Sequence, residues 1–297
     1  MNASKKAFFY ALGAIALWAT LAPVGVRLSH LPPFLSTGCA LIVGSLVALP
    51  WSRFQWRHAI VPASTLLLGI YGLFGFHFLL FLALRTAPAV EANLVNYLWP
   101  LLIVVLAPLF HKGTRLHWRQ VLAALAGFSG AVWVITGGRV IDFQINVGYL
   151  AALASAFIWA TYSLMTQRVP AFHTAAIGGF GLVSGLLSLV CHFALETPVA
   201  MSSNDAMLLI WMGLGPLGLA FYLWDAALKN GRAQQIGLLS FLTPLGSTIL
   251  LLLDRQEALT PTVAWAGLLI VGGAWLGRSV STEAANDPFF DQAKDRN

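Results

Sequence analysis

Ten apolar runs, each about as long as a bilayer is thick, leave this chain few ways to fold. They fall at about 7–28, 33–51, 60–84, 88–110, 117–136, 147–167, 173–194, 206–228, 233–253 and 260–278. In helical form, about 20 such residues cross roughly 30 Å of hydrocarbon. A helix also pairs its own backbone groups, which a solvent without hydrogen bonds demands. Composition agrees: 58% of residues are hydrophobic and 9% are charged, against roughly 25% charged in soluble domains. The expected fold is an all-α polytopic membrane protein with ten transmembrane helices. The formal net charge of +6 is no nucleic-acid signal, because the basic residues lie between spans.

Lys5 and Lys6 precede the first run, which is too long for a signal peptide and lacks a clean cleavage site, so it is expected to stay as the first helix. Basic residues then orient the chain. With the N-terminus in the cytoplasm, that side holds Lys5, Lys6, Arg53, Arg57, Lys112, Arg115, Arg119, Arg168, Lys229, Arg232, Arg278, Lys294 and Arg296. Only Arg27, Arg85, Arg139 and Arg255 fall on the other side, a bias that predicts both termini inside.

The sequence also repeats. Leu17-Trp18-Ala19-Thr20 returns as Ile158-Trp159-Ala160-Thr161 at an offset of 141, which also aligns Arg27 with Arg168, Gly38 with Gly179 and Gly44 with Gly185. An offset of 144 aligns Asn96 with Ser240, Tyr97 with Phe241, Leu98 with Leu242 and Pro100 with Pro244. Residues 1–140 and 141–280 thus read as two five-helix repeats, followed by a polar, disordered tail over 281–297. Five crossings per copy put the copies in opposite orientations. Inverted repeats with a site at their interface, near mid-membrane, are the architecture of many secondary transporters.

The candidate site centres on Asn93-Leu94-Val95-Asn96-Tyr97-Leu98-Trp99-Pro100. Pro100 has no N–H for the carbonyl of Asn96, and Pro244 does the same to Ser240, so both prolines are expected to break or hinge their helices. Asn93, Asn96 and Pro100 share one helix face. Trp99, Trp159 and Trp18 lie near mid-span, away from the interfacial belt, and as cavity walls they would offer apolar contact and a cation–π surface. Tyr97 and Ser240 would supply hydroxyls for a carboxylate, and Asn93 and Asn96 could bond either end of a zwitterion or simply join helices. His77 either lines the cavity, with proton uptake as a further role, or is a neutral ring bonded to a neighbouring helix.

The ten-helix inverted repeat, the two Trp-Ala-Thr strings, Glu91, Val95-Asn96-Tyr97-Leu98-Trp99-Pro100, Phe157-Ile158-Trp159-Ala160 and Phe241-x-Thr243-Pro244 resemble the drug/metabolite transporter superfamily. Within it they resemble the EamA branch and its bacterial aromatic amino-acid exporters. The architecture matches to about residue 280; the fourth-helix string is the specific part. The resemblance implies a multi-pass protein of the bacterial inner membrane that exports amino acids from the cytoplasm through a central cavity. His77 stands where those exporters are expected to carry tyrosine, so smaller or aliphatic cargo such as threonine or methionine joins the aromatic amino acids.

Other function classes fit less well. No nucleophile with its base, metal-ligand cluster or phosphate loop marks an enzyme, and no cofactor is called for. Cys191-His192 is one adjacent pair, not a metal site. A passive channel would show a selectivity ring. A carrier for another metabolite or drug is the alternative, but a nucleotide sugar would require basic residues in the cavity. Glu91 suits the helix dipole after Pro88, Asp225 and Lys229 form a plain i,i+4 pair, and Arg27 and Arg168 cap helix ends or reach to the interface. The partners implied are a small-molecule amino-acid substrate and the bilayer. A single chain is compatible with this, and the sequence leaves open the oligomeric form, the coupling ion and the captured state.

Overall fold

A computed structural model describes residues 3–111, 113–140 and 146–285. The crossing helices are α1 (Ala3–Arg27), α2 (Pro33–Trp51), α3 (Ala63–Thr86), α4 (Ala89–Phe110), α5 (Trp118–Thr136), α6 (Gly148–Met165), α7 (Ala176–Leu195), α8 (Ser203–Asn230) and α9 (Ala233–Asp254). A tenth, α10, runs over Pro261–Ala285, with an apolar stretch to Gly277. The helix runs four residues past 281, and the rest of the expected polar tail, 286–297 with Lys294 and Arg296, lies outside the described residues.

Proline sets most of the interruptions. α4 breaks between Asn96 and Trp99, and α9 between Leu239 and Leu242, each just before its proline. The carbonyl of Ser240, expected to lose its partner to Pro244, instead accepts the Thr243 N–H at 3.0 Å in a tighter turn. α1 breaks at Thr20 as well, which the sequence reading did not anticipate. Pro23 leaves the Ala19 carbonyl without its helical donor, and Ser247 Oγ of α9 donates to that oxygen at 3.1 Å. Pro108 likewise frees Val104, whose carbonyl accepts Gln234 Nε2 at 3.4 Å. In both cases a side chain from the second repeat completes a helix of the first, as an apolar solvent requires.

Pairing of the helices follows the internal repeat. α1 packs on α8 and α6 packs on α3, a pair that exchanges under a five-helix shift. α2 packs on α7 and α5 on α10, pairs that map onto themselves. Short π-helical segments, Tyr71–Gly75 in α3 and Gly215–Leu219 in α8, fall at an offset of 144, as do the helix ends at Thr86 and Asn230. Where α2 crosses the π segment of α8, Gly44 is required. A Cβ there would stand 2.7 Å from the Leu217 carbonyl oxygen.

Candidate functional site

Between the repeats lies a cavity of about 840 Å³, within the range of small-molecule sites. Its walls come from the end of α1, the start of α2, the end of α3, the first half of α4 and the second half of α9. All of these lie toward the membrane face opposite the N-terminus, where the lining reaches the exposed residues Val26, Ser29, Leu84 and Ala89 and the cavity opens. The floor is aromatic. Trp18 stands at the centre, with ring centroids 5.8 Å from Trp159, 6.1 Å from Phe221, 6.3 Å from Trp99 and 5.2 Å from Trp224. Edge-to-face contacts of this kind add to the burial of large rings and hold the floor rigid.

Trp18, His77, Asn93, Asn96, Tyr97, Trp99 and Trp159 all line this cavity, so seven positions picked from sequence converge. The Asn93 carboxamide has no hydrogen-bond partner among the described residues. Asn96 is nearly buried, and Ser155 Oγ of α6 lies 2.8 Å from both Asn96 Oδ1 and the Ala152 carbonyl, sharing one proton between them. Asn96 thus joins two helices while bordering the cavity. His77 Nδ1 donates to the Leu73 carbonyl of its own helix, at 2.6 Å, not to a neighbouring one. In its neutral form the ring therefore carries its proton on Nδ1 and the lone pair on Nε2.

Ser240 does not join them. Its side chain is buried and donates back to the Gly237 carbonyl, while Thr243 and Ser247, one and two turns farther along α9, line the cavity. Phe221 also lines it and Trp224 supports the floor from below, though neither was singled out from sequence. Their aromatic character inside an apolar span was the available signal: Phe221 lies one helical turn before Asp225 and Trp224 immediately before it, and the Asp225–Lys229 pair drew attention instead.

Toward the N-terminal face the cavity is closed. Gly237 of α9 packs on α4, where an added Cβ would come within 3.0 Å of Ile103 Cγ2 and 3.3 Å of the Pro100 carbonyl oxygen. Trp224 Nε1 donates to Ser163 Oγ at 3.1 Å, and the Tyr222 hydroxyl lies 3.3 Å from the Gly44 carbonyl. Asp225 accepts Lys229 Nζ and Thr174 Oγ1, both at 2.6 Å. In the loop beyond, His173 stacks on His58 at 4.4 Å. Partial burial, then the proximity of His58 and Lys229, lowers its pKa from the ordinary 6.5.

On the open face, Glu196, unmarked in the sequence reading, has a side chain only 1% exposed that takes Arg85 at 2.9 Å and His192 Nδ1 at 2.9 Å. It also accepts the Phe34 and Leu35 N–H groups at the start of α2. Arg27 pairs with Asp254 across the repeats, and the Arg168 guanidinium sits 6.0 Å over the Phe110 ring.

The chain is 39% identical over 280 residues to the aromatic amino acid exporter YddG of Ancylobacter novellus, covering 88% of this chain and 93% of that one. It is 27% identical to the exporter of the same name from Escherichia coli, over 92% of this chain and 96% of that one. A probable amino-acid metabolite efflux pump of Escherichia coli is 25% identical over 92% of this chain and 95% of its own length. A crystal structure at 37% identity superposes with a TM-score of 0.84, covering 92% of this chain and 98% of that one. The model of the EamA-like transporter family matches twice, over residues 5–136 and 146–277, and the chain belongs to that family.

Proposed function

We propose that this protein is a secondary carrier that exports amino acids, aromatic ones and neutral ones such as threonine or methionine, by alternating access. One observation carries the reading: a cavity walled by aromatic rings and amides at the breaks of α4 and α9, open to a single face. A channel would need a continuous path, and here the floor of tryptophans and the packing of Gly237 block one. The rings of Trp99, Trp159 and Trp18 suit an apolar or aromatic side chain, and they attract an ammonium group. Asn93, Asn96 and Tyr97 offer donors and acceptors to the zwitterionic end, with Thr243 and Ser247 in place of Ser240. The exporters to which the chain is similar support the choice of cargo.

The excess of basic residues on the N-terminal side supports a cytoplasmic position for that face, with the open cavity outside, in the plasma membrane of a bacterium. Cargo enters when the N-terminal face opens, and leaves through the cavity seen here, with the breaks at Pro100 and Pro244 as the bending points. Counterflow of labelled amino acids into proteoliposomes tests this. Flux should saturate and discriminate among amino acids. Trp99→Ala and Trp159→Ala should each raise half-saturation about tenfold, the loss of roughly 1.4 kcal/mol of ring contact, with insertion intact. Flux that never saturates, or that ignores both substitutions, would refute the assignment.

A further inference from the structure

α3 and α8 are equivalent residue by residue at an offset of 144: their π segments begin at 71 and 215, their last helical stretches at 76 and 220, and they end at 86 and 230. Under that relation His77 corresponds to Phe221, Phe81 to Asp225 and Arg85 to Lys229. At the offset of 141 that relates α2 to α7, Pro33 corresponds to Thr174. Phe81 and Pro33 both line the open cavity. Their counterparts Asp225 and Thr174 therefore occupy the matching positions on the closed side, where a cavity opening to the N-terminal face would be lined. The first repeat places a phenylalanine and a proline there. The second places a carboxylate and a hydroxyl.

Asp225 is 2% exposed, and its bonds are lopsided. Oδ2 takes both Lys229 Nζ and Thr174 Oγ1, whereas Oδ1 is buried with no partner. A carboxylate oxygen without a donor in so dry a place is costly, and it has room for one. Lys229 Nζ in turn reaches Asp225, the Phe172 carbonyl at 2.9 Å and the Phe172 ring at 3.7 Å, at the edge of the same closed region. Carboxylate and ammonium are thus held one helical turn apart, closed on each other while the N-terminal face is shut.

We infer that the Asp225–Lys229 pair is the loading site for the charged end of the cargo: Asp225 Oδ1 receives the substrate ammonium and Lys229 the substrate carboxylate when the N-terminal face opens. The inference rests on the proposed export of amino acids and adds a recognition element that the opposite face lacks. There the residue equivalent to Asp225 is Phe81, and Arg85, equivalent to Lys229, is bound to Glu196. The exchange is self-consistent in charge: one internal ion pair opens, and two pairs with the zwitterion form. It also suits export, since cargo is gripped where it enters and meets uncharged groups where it leaves.

Three competitors, presented at the N-terminal face of proteoliposomes, separate this from a structural role: tryptophan, its decarboxylated amine tryptamine, and its deaminated acid indole-3-propionate. Asp225→Asn should weaken inhibition by tryptophan and tryptamine on the order of tenfold and leave the acid unchanged. Lys229→Gln should weaken tryptophan and the acid and leave the amine unchanged. Asp225→Glu should keep wild-type selectivity. The double variant Asp225→Asn/Lys229→Gln leaves no unpaired buried charge and should erase the preference for the zwitterion over both analogues. If the single variants shift all three ligands alike, or the double variant keeps the zwitterion preference, the pair is structural only. If the wild-type protein carries no amino acid at all, it is the proposed function that fails.

Discussion

Ser155 and Ser163 lie about two turns apart on α6 and hold partners in different surroundings. Ser155 serves Asn96 at the edge of the cavity, and Ser163 accepts the Trp224 indole N–H in the closed half. Ser155→Ala leaves Asn96 Oδ1 to be met by cavity water, so the loss should be small, about 0.6 kcal/mol. Ser163→Ala strands an indole donor with no water to replace its partner, at about 1–3 kcal/mol. Unfolding in detergent should therefore rank Ser163→Ala as the less stable variant, and the reverse order would mean that the closed half is wet. The same distinction explains what the sequence could show of the site. Rings and amides inside apolar spans are visible as letters, and seven of them meet at one cavity. Whether a short hydroxyl points outward or folds back on its own helix is not, and Ser240 takes the second course.

At the level of helices, proline and glycine decide the shape. The spans were legible because apolar length is the main requirement of a bilayer, and the described helices agree with the runs to within a few residues. The breaks in α4 and α9 were legible through Pro100 and Pro244. The break in α1 was equally available from Pro23 but has no counterpart in the second repeat, where Leu164 stands at the matching position and α6 runs on unbroken. Glu196 escaped notice because its partners, the start of α2, Arg85 and His192, are joined only by tertiary packing. Glycine gives a sharper test. Gly44→Ala would drive a methyl group against backbone of α8 that has no room to yield, so about 1–3 kcal/mol should be lost. Gly272→Ala, with nothing within 4 Å of the added carbon, should be neutral or slightly stabilising. Equal melting temperatures for the two variants would mean that α2 and α8 do not sit this closely.

Taken whole, the molecule is one shape used twice in opposite senses, and the present arrangement implies the other. On the N-terminal face, Gly237 of α9 packs against Ile103 and the Pro100 carbonyl of α4. Shifted by 144 in each direction, that contact becomes Asn93 of α4 against Ser247 and Pro244 of α9, and Asn93 and Ser247 both line the open cavity. In the proposed cycle the Asn93 carboxamide, without a partner among the described residues, meets Ser247 and the Pro244 carbonyl as the open face closes. Cross-linking across this gap tests alternation most directly. With Cys39 and Cys191 replaced by serine, Asn93→Cys and Ser247→Cys should form a disulfide during turnover in proteoliposomes, flux should stop, and reductant should restore it. A pair that never cross-links during turnover, or a linked protein that transports as fast as the reduced one, would contradict the account.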